Sequence, residues 1–335
     1  MIPHVLAISL WEPIARNWAA IAIGLTCASL GLWFALVLAK YVRISLNLFT
    51  DTPPPLSMGP LDFERVLGEE VSFRGFDGAS LRGMWVWAER PVGTVVFCHE
   101  YGSDMFSFAR YCRPLMEAGF NIFTFDFRGH GDSSCPGGYK PLQWPSDKEV
   151  GDLLGALAHV AGRLGDESRG KRVGLFGISR GGAAAILAAA ADENVKAILC
   201  DGAFSTDAVC IGMMKRWAHI FARVKLAYEN HPEFFWKMMY WFLRQRAQSR
   251  MGCRYPSVRK ALRNMAARPI LFIHGERDSY IRVDQTCLLH QAAGEPKSIW
   301  IVPEAKHNQS VVVAPAEYAR RTAAFFQKYL TDEET

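Results

Sequence analysis

Most of the chain alternates short apolar runs with longer stretches whose apolar positions recur at helical spacing. Val71–Phe76 and Leu81–Ala88, flanking Asp77-Gly78, predict an opening hairpin. Thr94–Cys98, Asn121–Asp126, Arg172–Phe176, Val195–Cys200, Ile270–Ile273 and Ser298–Val302 predict buried strands. Phe106–Ala118, Asp147–Arg163, Arg180–Ala191, Val283–Ala293 and Ala316–Tyr329 predict the helices between them. Strand alternating with helix implies an α/β fold, a mostly parallel sheet covered on both faces. Two stretches break this rhythm, one at the front and one at residues 205–265.

At the front, Trp18–Ala39 carries no charged side chain and is apolar all round. As a helix it would be roughly 33 Å long, enough to cross a bilayer's hydrocarbon core. Trp18, Trp33 and Tyr41 lie near its ends, as interfacial aromatics do. A cleavable signal peptide is the rival, with Val37 and Ala39 placed as a signal peptidase accepts them, but its apolar run is shorter. The expectation is a single-pass transmembrane helix. Lys40 and Arg43 behind it, against Arg16 offset by Glu12 before it, favour a cytoplasmic catalytic domain. The prolines of residues 50–60 predict an extended spacer. Three parts follow: an anchor over 1–49, a linker over 50–60, and a catalytic domain over 61–335. A chain beginning near Leu61 is then expected to be soluble and competent.

Residues 205–265 hold no convincing strand and read as an inserted helical cap. They contain twelve basic and three acidic residues, so their net charge of +9 exceeds the whole chain's +5. Interleaved are Trp217, Phe234, Phe235, Trp236, Trp241 and Phe242, with several methionines. Such a mixture suits an anionic membrane surface or an acyl-chain pocket, and equally a solvated basic face over a helical core. Nothing else supports nucleic acid as a partner. The eight cysteines form no C-x-x-C pair or metal-ligand spacing and read as free thiols, mostly buried.

The candidate chemistry centres on Gly177-Ile178-Ser179-Arg180-Gly181, a G-x-S-x-G sequence between a strand and an alanine-rich helix. That context is what a nucleophile elbow requires, and it makes Ser179 the candidate nucleophile. A serine hydroxyl needs a base. His307, between the last strand and the last helix, is the first choice, and His130 in its glycine-rich turn the second. His99 and His274 end strands and read as packed supports for loops. Asp278 follows the Ile270–Ile273 strand and gives the chain order Ser, Asp, His; Asp201 is its main rival and Glu276 another.

Four spaced motifs resemble the α/β-hydrolase superfamily, closest to its serine esterase, lysophospholipase and serine aminopeptidase-like branch. They are His99-Glu100-Tyr101-Gly102, Asp126-Phe127-Arg128-Gly129-His130-Gly131-Asp132-Ser133, the elbow, and His274-Gly275-Glu276-Arg277-Asp278 with the late His307. The resemblance covers residues 60–335. It implies an oxyanion hole from the backbone N–H groups of Arg180 and Tyr101. Glu100 departs from the family's usual His-Gly pair. The expected activity is hydrolysis of carboxylic esters, acyl or lipid-like, without metal or organic cofactor. The alternatives are a peptidase or amidase, an acyl thioesterase, and a non-catalytic membrane scaffold.

Overall fold

The structure is a computed structural model and describes residues 11–52, 54, 65–165, 172–221 and 231–331. Eight strands form one sheet in the order β1-β2-β4-β3-β5-β6-β7-β8. They are β1 (Glu69–Arg74), β2 (Ser80–Val86), β3 (Gly93–Cys98), β4 (Phe120–Phe125), β5 (Val173–Ile178), β6 (Val195–Asp201), β7 (Ile270–Gly275) and β8 (Lys297–Val302). The hairpin strands pair antiparallel, β2 joins β4 antiparallel, and every pairing from β4 through β8 is parallel. Strands β3 to β5 and β7 are buried at every position. This explains why they read as mostly apolar runs rather than alternating ones.

The helices are α1 (Trp11–Asp51), α2 (Phe108–Glu117), α3 (Asp147–Leu164), α4 (Arg180–Ala189), α5 (Thr206–Phe221), α6 (Glu233–Met251), α7 (Val258–Asn264), α8 (Val283–Ala292), α9 (Ser310–Val313) and α10 (Pro315–Leu330). Helices α3 and α4 join one hydrophobic core; α2 and α10 join the other. Strand order reverses around β3, and β5 beside it carries the elbow into α4. In open α/β sheets, ligands bind beyond the carboxyl ends of strands at such a reversal.

Between β6 and β7 the chain departs into α5, α6 and α7, with no strand among the described residues. This helical insertion has its own core, in which Trp144, Phe204, Met214, Trp236, Met239, Leu243 and Tyr255 meet. The front helix enters this core too. The helix expected over 18–39 runs from Trp11 to Asp51 without a break. Residues 17–36 are exposed throughout, whereas Val42, Ser45, Phe49 and Thr50 are buried. The spacing of 42, 45 and 49 puts them on one stripe of the helix. Phe49 stacks on Trp144 at 5.1 Å and meets Tyr255 edge-on, also at 5.1 Å. Trp144 Nε1 donates to the Phe49 carbonyl at 3.1 Å. Arg250 of α6 pairs with Asp51 at 3.3 Å.

The last turns of α1 are thus part of the cap. Apart from 50–52 and 54, the proline-rich spacer lies outside the described residues, and 50–51 belong to the helix. A chain beginning near Leu61 would lack Phe49 and its contacts with Trp144 and Tyr255. The interruption-free apolar run marked the helix, but it could not reveal that the polar-flanked end docks. Phe49→Ala is expected to destabilise the full-length protein by about 3 kcal/mol, within the range for emptying a large aromatic site. Thermal unfolding in detergent reads this; an unchanged midpoint would mean the docked end contributes nothing to the cap.

Candidate active site

Three chain segments converge beyond the carboxyl edge of the sheet. The first is the elbow. Ser179 stands at φ 52°, ψ −114°, outside the regions an ordinary L-residue prefers. Its amide is tied to the Asp201 carbonyl at 2.7 Å, which holds the strained turn in place. A Cβ on Gly181 would fall 2.1 Å from the Cys98 carbonyl oxygen, so only glycine lets α4 start this close to β3. The second segment is the loop after β7. A Cβ on Gly275 would sit 2.4 Å from the Ala305 carbonyl oxygen, and the third segment, the loop after β8, passes there. Glu276 N–H to the Val302 carbonyl and Arg277 N–H to that of Ala305, both 2.9 Å, join the two loops.

This junction sets the geometry of the candidate residues. Ser179 Oγ lies 2.9 Å from His307 Nε2, and His307 Nδ1 lies 2.5 Å from Asp278 Oδ2. The amides of Tyr280 and Ile281 donate to Asp278 Oδ1 at 2.9 and 2.8 Å. Burial disfavours the Asp278 carboxylate, but hydrogen bonds from His274 and His307 outweigh it and hold the group down to about 2. Asp278 is therefore an anion throughout the neutral range, oriented by the Tyr280 and Ile281 amides and by His307, with His274 Nε2 3.3 Å from Oδ2.

The rivals lie elsewhere. Asp201 is buried behind the site, where Ser310 Oγ and Tyr318 Oη donate to its carboxyl at 3.2 and 3.0 Å. Burial pushes its carboxyl up. Glu276 is exposed and near the Glu304 amide at 3.4 Å. His130, the second choice for base, is buried against the Arg128 carbonyl at 3.1 Å and Arg180 Nη2 at 3.4 Å. Burial, then the Arg180 charge, pushes it well below the usual imidazole range. His99 accepts from the Phe127 amide at Nε2, so its Nδ1 carries the proton given to the Glu100 carbonyl.

Of the two amides expected to bind an oxyanion, that of Arg180 opens α4 directly after Ser179, and that of Tyr101 lies in the loop after β3. Neither donates to an acceptor among the described residues. Glu100, which departs from the family pattern, turns its carboxyl into the interior near Ser107 Oγ (3.4 Å), and burial pushes it up.

Sequence reasoning assigned nothing to the Arg180 side chain. It is buried, gives Nη1 to the Leu142 carbonyl at 3.1 Å, and lies over the Tyr101 and Phe127 rings at 5.3 and 5.2 Å. The Arg180 side chain thus packs under the loop that carries Tyr101. Tyr280 was also missed. Its ring meets His307 edge-on at 5.3 Å, and its hydroxyl donates to Gln143. A cleft beside Tyr280 is lined by Val209, Gly212 and Arg216 of the cap and by Arg282 and Gln285 below. No group of three or more metal-ligating side chains is gathered among the described residues. The described cysteines are all free, five of them buried.

Comparison with known proteins agrees with this architecture. The family model "Serine aminopeptidase, S33" matches residues 89–310, two thirds of the chain. YfhR of Escherichia coli O157:H7 is 24% identical over 272 residues, spanning 79% of this chain and 81% of that protein. The esterase Pf2001 of Pyrococcus furiosus superposes with a TM-score of 0.59 at 24% identity, covering 83% of this chain and 98% of its own. A dienelactone hydrolase from Anabaena variabilis gives 0.53 at 20% identity, covering 78% and 99%. The structural likenesses establish the α/β-hydrolase fold, and the family match spans the elbow, the β7 loop and His307. The chain belongs to the serine aminopeptidase S33 family of α/β-hydrolases.

Proposed function

We propose that the protein is a membrane-anchored serine hydrolase that cleaves carboxylic esters, acyl or lipid-like, through Ser179, His307 and Asp278. The observation that carries this reading is the unbroken relay from Ser179 Oγ through His307 to Asp278, at 2.9 and 2.5 Å. Ser179 Oγ attacks the ester carbonyl while His307 Nε2 takes its proton. The tetrahedral oxyanion forms against the amides of Tyr101 and Arg180. Collapse expels the alcohol, which leaves with the proton from His307, and Ser179 keeps the acyl group. Water, deprotonated by His307, then releases the acid and restores the serine.

Two features support a lipid setting. The exposed stretch 17–36 is about 30 Å long as a helix, matching a hydrocarbon core, and it continues as helix through residues 37–39. Second, Ile220, Phe234 and Trp241 leave apolar surface on the basic cap, which α1 holds next to the bilayer. The charges flanking the span favour a cytoplasmic catalytic domain.

Nitrophenyl esters of graded acyl length, assayed beside aminoacyl and peptidyl amides and an acyl thioester, test the substrate class. Ester turnover with amides left intact supports the proposal. Preferential amide cleavage would make the protein a peptidase, and inactivity on all three would favour a scaffold.

The acid side of the pH–rate profile is a further check. Because Asp278 is held at about 2 by its donors, only one protonation should silence the relay above pH 4. The logarithm of kcat/KM is expected to rise with a limiting slope of about one per pH unit. A slope of two would mean that a second group of the relay titrates there.

A further inference from the structure

A second imidazole stands behind Asp278, and the hydrolytic scheme leaves it without a part. His274 closes β7 and is fully buried. Its Nε2 lies 2.8 Å from the Ile281 carbonyl oxygen and 3.3 Å from Asp278 Oδ2. The Ile281 carbonyl cannot donate, and neither can an ionised Asp278, so Nε2 carries the proton. Its Nδ1 lies 2.6 Å from Thr286 Oγ1, which also reaches the Ala203 carbonyl at 3.2 Å. The oxygen that His274 approaches is the one that meets His307 Nδ1 at 2.5 Å. Both imidazoles therefore converge on a single carboxylate oxygen, while two backbone amides hold the other.

We propose that His274 is a positioning residue for the hydrolysis, acting through Asp278: its Nε2–H, bonded to the Ile281 carbonyl and turned in part toward Oδ2, aims Oδ2 at His307 and lowers the pull of that oxygen on the His307 proton. This rests on the triad reading above. During turnover His307 becomes an imidazolium, and Asp278 must stay an anion without taking its proton. A second donor on Oδ2 spreads the oxygen's charge and lowers its basicity. Without it, the buried oxygen holds the His307 proton more tightly, and the carboxylate loses one of the contacts that fix its plane. Both changes slow catalysis, and the first moves the acid limb of activity to higher pH. The other ionisable groups around the pair are Asp201 on β6 with Tyr318 of α10, Tyr280 beside Asp278, and Glu100 in the β3 loop. All of them remain in the variants below.

The test uses the full-length protein in detergent with His274→Leu, His274→Gln and Thr286→Val. Rates on nitrophenyl butyrate are taken across pH, and the downfield proton resonance of the His307–Asp278 hydrogen bond is followed by NMR, which needs no turnover. His274→Leu is expected to lower kcat by about 10- to 100-fold, as loss of an outer partner does at other sites. KM should change by less than about twofold, the acid limb should move up by about half a pH unit or more, and the resonance should shift. His274→Gln keeps a donor at the Nε2 position and should recover most of kcat. If His274→Leu does not fold, Thr286→Val should move the resonance and the limb the same way by less. A folded variant series in which neither moves would make His274 a packing residue and overturn the proposal. An inactive wild type whose resonance still responds to these substitutions would count against the hydrolase reading and leave the coupling of His274 to Asp278 in place.

Discussion

Ser179→Ala is expected to lower ester hydrolysis by about 10⁴-fold or more while the protein stays folded. The hydroxyl is the only atom group lost, and its bond is to His307 Nε2; the elbow itself is held by the Ser179 amide on the Asp201 carbonyl, which alanine keeps. Relief of nothing but the side chain should leave the thermal midpoint near that of the wild type. The rate that remains would come from the oxyanion amides and from binding alone. Initial rates with a short nitrophenyl ester, beside a thermal melt of the same sample, decide the matter. Near-normal turnover by the folded variant would remove Ser179 from the mechanism.

Asp278→Asn carries the second large effect, with Asp201→Asn as its counterpart. An amide at 278 keeps the shape and the contacts from the Tyr280 and Ile281 amides. It can, however, present an N–H to His307 Nδ1, which leaves Nε2 protonated and unable to take the serine proton. The expected loss is about 10⁴-fold in kcat. At 201, an amide oxygen still accepts from Ser310 or Tyr318, and that carboxyl lies behind the site rather than on His307. Asp201→Asn should therefore change kcat by no more than about threefold, since it removes no transition-state contact. The two variants assayed side by side read the assignment of the acid directly. The reverse ranking in folded proteins would give the role to Asp201.

The main chain of this fold was legible because its determinants are local. Mostly apolar runs such as Thr94–Cys98 and Ile270–Ile273 have few alternatives to a buried parallel strand, and the pairs Gly177/Gly181 and His274-Gly275 mark where backbones must approach closely. The same locality placed Ser179, His307 and Asp278 at the carboxyl ends of strands, where the structure brings them together. What escaped depends on partners far apart in sequence. The docking of Phe49 on Trp144 joins residues 95 apart, and no periodicity within α1 distinguishes that stripe from the exposed turns before it. The buried guanidinium of Arg180 likewise looks like a solvated charge until Tyr101, Phe127 and Leu142 are seen around it. His274 read as loop support, and its approach to Asp278 appears only with the side chains in place.

The central claim is that the Ser179 hydroxyl is an activated nucleophile, and the most direct measurement is the mass of the protein after exposure to a fluorophosphonate, followed by peptide mapping. The account predicts a single adduct on the peptide carrying Ser179, formed within minutes at neutral pH, absent from Ser179→Ala and strongly slowed in Asp278→Asn. A folded wild-type protein that gains no adduct, or gains it at another residue, would contradict it.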